Sequence, residues 1–149
     1  MKIILLEDSD YQAQVYIEYL TNMNHDVTHY WTGMHICRPS GVEIVNEADC
    51  LISDIVMLNW SWHSDSPKSG IEVFRYLMAR KCEKPILAHS GKDRHKDHKG
   101  EVDLINLPNI FSGLNIKFRR KDSSSRYNRE TLGYIDGFLT EVELLKMET

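Results

Sequence analysis

The sequence predicts one α/β domain: a doubly wound, five-stranded parallel sheet with helices on both faces, in three layers. Three observations carry this. Five short strand-like runs, aliphatic or β-branched and aromatic, alternate with segments whose apolar residues recur at helical spacing, and strand–helix alternation calls for a parallel sheet wrapped by crossover helices. Runs such as Ile3 to Leu6 and Leu51-Ile52 are continuously apolar, the pattern of strands buried on both faces. A chain of 149 residues also buries about 68–70% of the surface its unfolded form exposes, enough for a core without staples.

The elements follow in order. Residues 2–6 form the first strand, bounded by Glu7 and Asp8. Asp10 is expected to cap a helix reaching Asn22, with Tyr11, Val15, Tyr19, Leu20 and Met23 at helical spacing, and Asn24-His25-Asp26 ends it. The β-branched and aromatic residues of 27–31 read as a second strand, turned out by Thr32-Gly33. Pro39-Ser40-Gly41 breaks the next segment, leaving a short helix over 42–46. The third strand is 50–56, with Asp54 near its end. A polar loop over 59–69 carries Trp60 and Trp62, which pack over the loop or meet a partner.

Gly70 opens a helix lasting to about Lys81, and 86–89 is the fourth strand, closed by Ser90-Gly91. Residues 92–100 read as a charged loop. Val102, Leu104, Ile105 and Leu107 predict a short helix stopped by Pro108, followed by a fifth strand at about 114–119. Ser123-Ser124-Ser125 precedes a last helix over 128–147, with Leu132, Ile135, Phe138, Leu139, Val142 and Leu145 on one stripe.

Composition narrows the function. With 18 Lys+Arg against 22 Asp+Glu the net charge is −4, and no Lys/Arg-dense helix is present, which argues against nucleic acid or an anionic membrane as partner. The longest aliphatic run near the start ends at once in Glu7 and Asp8, so neither membrane insertion nor a secretory signal is expected. Cys37, Cys50 and Cys82 are odd in number and widely spaced, as in reduced thiols of a cytoplasmic protein. His89, His95 and His98 stand in a stretch dense with Lys and Asp and read as a solvated loop, not a metal site.

In open parallel sheets, functional groups gather beyond the carboxyl ends of the strands. The residues placed there are Glu7 and Asp8, Asp54, Ser90 and Lys121. Three carboxylates brought together repel unless they take up protons or a hard divalent cation, and all-oxygen donors suit Mg²⁺ or Mn²⁺, with Mg²⁺ the simplest. A carboxylate at such a cation can attack a phosphoryl group. Asp54 is best placed for that, with Ser90 donating to a phosphoryl oxygen and Lys121 supplying an ammonium; Lys117 is the alternative cation.

On these residues the chain resembles the receiver domain of bacterial two-component response regulators, of the single-domain, chemotaxis-regulator-like kind, over nearly its whole length. The motifs are the acidic pair Glu7-Asp8, Asp54 in Leu51-Ile52-Ser53-Asp54-Ile55, Ser90-Gly91 after the fourth strand, and Lys121 with Phe118 three residues before it. The resemblance implies a flavodoxin-like fold and an Asp54 phosphorylated by a histidine kinase or histidine phosphotransfer protein. It also implies Mg²⁺ held by Glu7, Asp8, Asp54 and the backbone carbonyl of Val56. A single receiver domain over 1–149 without an output domain is expected to signal by binding a downstream protein.

The departures are Leu58 in place of a proline, about eight extra residues before Gly70, a lengthened span from Ser90 to Lys121, and Asp122 in place of a proline. They favour the alternative, a phosphorylation-independent, receiver-like interaction module with remodelled loops. An enzyme is not expected beyond self-catalysed aspartyl phosphorylation and dephosphorylation. A phosphatase with an aspartate nucleophile would want an acid where Val56 stands, and a flavin phosphate would be repelled by Glu7-Asp8.

Overall fold

The computed structural model describes residues 1–55, 70–97, 100–121 and 129–148. The first half alternates β1 (Lys2–Leu6), α1 (Asp10–Asn22), β2 (Asp26–Tyr30), a 3-10 turn (Gly33–His35), α2 (Gly41–Glu47) and β3 (Cys50–Asp54). After it come α3 (Gly70–Ala79), β4 (Ile86–Ser90), β5 (Arg94–Asp97), β6 (Gly100–Asp103), a 3-10 turn (Leu104–Asn106), α4 (Leu107–Ile110), β7 (Ile116–Arg120) and α5 (Arg129–Met147). Five strands form one sheet in the order β2-β1-β3-β4-β7, every pairing parallel. This is the predicted doubly wound, flavodoxin-like α/β fold.

Each central strand divides its side chains between two cores. Ile3, Leu5, Cys50, Ile52 and Leu87 pack with Ala13, Tyr16 and Leu20 of α1 and Ile135, Phe138, Leu139 and Val142 of α5. Ile4, Leu6, Leu51, Ile86 and Ala88 face Val45, the α3 residues Ile71, Phe74 and Leu77, and Leu107 and Phe111. A continuous apolar run is therefore required, because both faces of the strand are covered.

Several boundaries and one segment differ from expectation. Ser9, not Asp10, caps α1, its hydroxyl accepting from Gln12 N–H, while the Asp10 carboxylate takes the Trp31 indole N–H. The strand expected at 27–31 is shifted back by one, and the fifth strand begins at Ile116 rather than Leu114. The helix from Gly70 ends at Ala79, with Lys81 in the left-handed region at φ 56° closing the turn.

The charged loop expected at 92–100 contains instead strand β5, paired antiparallel with β6 as a hairpin in register Arg94↔Asp103 and Asp97↔Gly100. Arg94 faces Glu101 across it at 3.6 Å, and Leu104 N–H anchors its base to the Asp93 carbonyl at 2.9 Å. Charged residues dominate the hairpin, with Val102 of β6 packed against the core, so its sequence carries no sustained core-facing period. Pro108 does not stop a helix: it lies in the first turn of α4, where its missing N–H costs nothing. Val56, Trp60, Trp62, His98 and Asp122 lie outside the described residues.

Candidate functional site

The sheet order reverses on either side of β1, so the carboxyl ends of β1 and β3 open into a crevice, the usual ligand position of this architecture. The central strands β1, β3 and β4 start as apolar runs and turn polar at this edge. Glu7 follows β1 at 1% exposure, Asp54 ends β3 at 7% and Ser90 ends β4 at 1%. Lys121 stands just past β7 and is tied to β4 by its N–H, which donates to the Ser90 carbonyl at 2.8 Å. All five site residues predicted from sequence within the described chain therefore meet at one edge.

One carboxylate oxygen from each of Glu7, Asp8 and Asp54 lies within 4.8 Å of the others. Lys121 Nζ reaches Glu7 Oε2 at 3.2 Å and Asp54 Oδ1 at 3.5 Å. The ammonium beside the carboxylates is therefore that of Lys121, and Lys117 instead pairs with Glu141 of α5. Asp54 Oδ1 also accepts from Ile55 N–H at 2.9 Å. Ser90 Oγ accepts from Lys92 N–H at 3.1 Å, leaving its own proton to donate.

Electrostatics follow from this crowding. Burial, then Asp54 and Asp8, push the Glu7 carboxyl up to about 8 against the opposing pull of Lys121. Burial likewise raises Asp54, with Lys121 opposing and Asp8 adding to it. Burial would lower Lys121, but Asp54 and Glu7 hold it above its ordinary value. Once all three carboxylates are ionised, they leave two negative charges uncompensated by the one ammonium, the charge of one divalent cation, whose binding would displace the Glu7 proton. Ligand oxygens on one Mg²⁺, bound at about 2.1 Å, lie up to about 4.2 Å apart, so the donor type and spacing fit such an ion after small side-chain rotations.

Four neighbours escaped the sequence reading. Gln12 Oε1 accepts from Lys121 Nζ at 2.9 Å. Tyr16 lies below that ammonium, 5.9 Å from it to the ring centroid. His89 is not in a solvated loop but is wholly buried in β4, opposite Asp54 in the β3–β4 register. Its Nδ1 meets the Tyr134 hydroxyl at 2.8 Å while Nε2 has no hydrogen-bond partner among the described residues, and burial, then Lys121, hold the ring far below its ordinary pKa and so neutral. Gly70 is a fifth case, singled out only as a helix start. A Cβ there would lie 2.7 Å from the Asp54 carbonyl oxygen, so α3 can close on the end of β3 only without a side chain. Phe118 is half-buried against the core on the α3 side.

No family model and no curated protein sequence matches the chain. Its architecture does match solved structures. One is the N-terminal domain of a response regulator/sensory box/GGDEF three-domain protein from Carboxydothermus hydrogenoformans, at 14% identity and TM-score 0.62, covering 99% of this chain and 98% of that one. Another is the BeF3-activated N-terminal receiver domain of RstA from Klebsiella pneumoniae, at 17% identity and TM-score 0.61, covering 93% and 98%. A third is the receiver domain of the Francisella response regulator 1452, at 17% identity and TM-score 0.60, covering 99% and 97%. The chain has the fold of response-regulator receiver domains.

Proposed function

We propose that the chain is a phosphoryl-accepting signalling switch. The observation that carries this reading is the buried Glu7-Asp8-Asp54 cluster bridged by Lys121 at the sheet edge. An Asp54 carboxylate oxygen attacks the phosphorus of a phosphohistidine on a histidine kinase or phosphotransfer protein. The O–P bond forms as the P–N bond breaks, and the electron pair stays on the imidazole nitrogen. Lys121 and the Ser90 hydroxyl then receive two phosphoryl oxygens, and later attack of water at phosphorus restores the carboxylate and releases phosphate. Glu7, Asp8, Asp54 and the Val56 carbonyl would hold Mg²⁺, which when bound supplies positive charge to the transferring oxygens.

The added charge of about −1.5 to −2 draws Ser90 and Lys121 inward, so the readout surface lies around β4, β7 and α5, where a downstream protein binds. Such a switch works in the cytoplasm without nucleic acid; among the described residues no helix is long and apolar enough to cross a membrane. Acetyl phosphate with Mg²⁺, read by intact mass, tests the assignment: one phosphoryl adduct is expected, absent in Asp54→Asn. The β5–β6 hairpin, inserted beside the site, favours a second reading, a constitutive interaction module. Absence of any adduct under those conditions would select it.

A further inference from the structure

Ser9 caps α1 and Gln12 is the third helical residue, the spacing of a capping box, in which the side chain at that position accepts from the cap's own N–H. Half of the box is closed: Ser9 Oγ accepts from Gln12 N–H at 3.3 Å. The other half is diverted. Ser9 N–H donates to Glu7 Oε1 at 3.3 Å, and Gln12 Oε1 accepts from Lys121 Nζ at 2.9 Å. Among the described residues this is the shortest contact of the ammonium, ahead of Glu7 at 3.2 Å and Asp54 at 3.5 Å. Both groups that take the place of the box belong to the acidic site.

We infer that Gln12 is a positioning residue that holds Lys121 in the resting state, and that phosphorylation of Asp54 trades this bond for the closed capping box. Lys121 moves to the phosphoryl oxygens, Glu7 Oε1 releases Ser9 N–H, and Gln12 Oε1 takes it up. Every donor keeps an acceptor in both arrangements, so the exchange leaves no unpaired group to oppose it. The first turn of α1 then reports the state of Asp54. The inference rests on the phosphoacceptor reading of the site.

The test compares wild type, Gln12→Met, which keeps side-chain length without the acceptor, and Gln12→Glu, which keeps an acceptor. Gln12 is exposed, so none of these changes touches the core. The readouts are the Ser9 amide resonance and its hydrogen exchange, with and without beryllofluoride and Mg²⁺, and the rate of Asp54 phosphorylation by acetyl phosphate. Wild type should show a Ser9 shift and slower Ser9 exchange on beryllofluoride addition. Gln12→Met should lose both and phosphorylate about two- to fivefold faster, the worth of one exposed hydrogen bond. Gln12→Glu should regain the Ser9 response and phosphorylate more slowly than wild type. Equal Ser9 responses and equal rates in all three proteins, with the adduct forming normally, would overturn the inference and leave the phosphoacceptor reading intact. No adduct in wild type would overturn both.

Discussion

Lys121 Nζ donates to Glu7 Oε2 at 3.2 Å, joining residues 114 positions apart, and the same ammonium stands 3.5 Å from Asp54. One side chain at the end of β7 thus spans β4 and β3 to reach the group after β1. Its charge is buried to 11% exposure among carboxylates, where each depends on the others. Removing one partner from such a set leaves uncompensated buried charge, so the group behaves as a unit.

Lys121→Met is accordingly expected to raise Glu7 and Asp54 further and to destabilise the cation-free protein by about 1–3 kcal/mol. Urea denaturation in EDTA measures it. Addition of Mg²⁺ should recover more stability in the variant than in wild type, because the ion then takes the place of the missing ammonium beside Glu7, Asp8 and Asp54; equal recovery would argue that the ion binds elsewhere.

Stability of the cation-free protein should fall as pH rises. The Glu7 carboxyl is raised from 4.5 in the unfolded chain to about 8 when folded, so its contribution is complete below about 4.5 and is lost on going up through about 8. Thermal unfolding in EDTA between about pH 7 and 8, above the range in which the neutral buried His89 gives the opposite slope, should show a Tm that declines more in wild type than in Glu7→Gln, and saturating Mg²⁺ should flatten the decline. A Tm rising with pH in EDTA would contradict the burial and charge crowding assigned to Glu7.

Gly70→Ala places a methyl group 2.7 Å from the Asp54 carbonyl oxygen, which is backbone and cannot swing aside. A loss of about 1–3 kcal/mol is expected as α3 is pushed from β3, with slower phosphorylation of Asp54. Stability is read by denaturant titration and the reaction by intact mass. Unchanged values for both would mean that the helix start shifts freely.

His89 and Tyr134 should couple. Tyr134→Phe leaves the buried Nδ1 of His89 without the hydroxyl 2.8 Å away, at about 1–2 kcal/mol. His89→Leu removes that bond together with the orphaned Nε2, so the double variant should be less destabilised than the sum of the single ones. Strict additivity in the double-mutant cycle would show that the bond contributes nothing.

Much of this was written locally. The central strands β1, β3 and β4 announce themselves because burial on two faces demands nearly unbroken apolar runs, whereas β2 and β7 at the sheet edges show only β-branched and aromatic content, and Glu7 and Asp54 stand out because the runs of β1 and β3 each end in an acid at the same edge. Ser90 and Lys121 follow from the same logic. The β5–β6 hairpin left no such mark, since it is mostly charged and Val102 by itself makes no periodic apolar face, and Pro108 suits a helix's first turn as well as its end.

What the sequence determined by itself was the alternation of elements and which polar groups stand at strand ends, for these depend on periods of two to four residues. Which polar groups touch was decided only by the tertiary structure. Gln12 meets Lys121 across 109 positions, and His89 meets Tyr134 across 45. Those contacts depend on strand order, on α1 and α5 sharing one face of the sheet, and on the reach of each side chain from there. Ser9 rather than Asp10 caps α1 with Gln12 at capping-box spacing, and only the arrival of Lys121 from the far end of the chain, a cation against a neutral acceptor, explains why Gln12 turns away from that box.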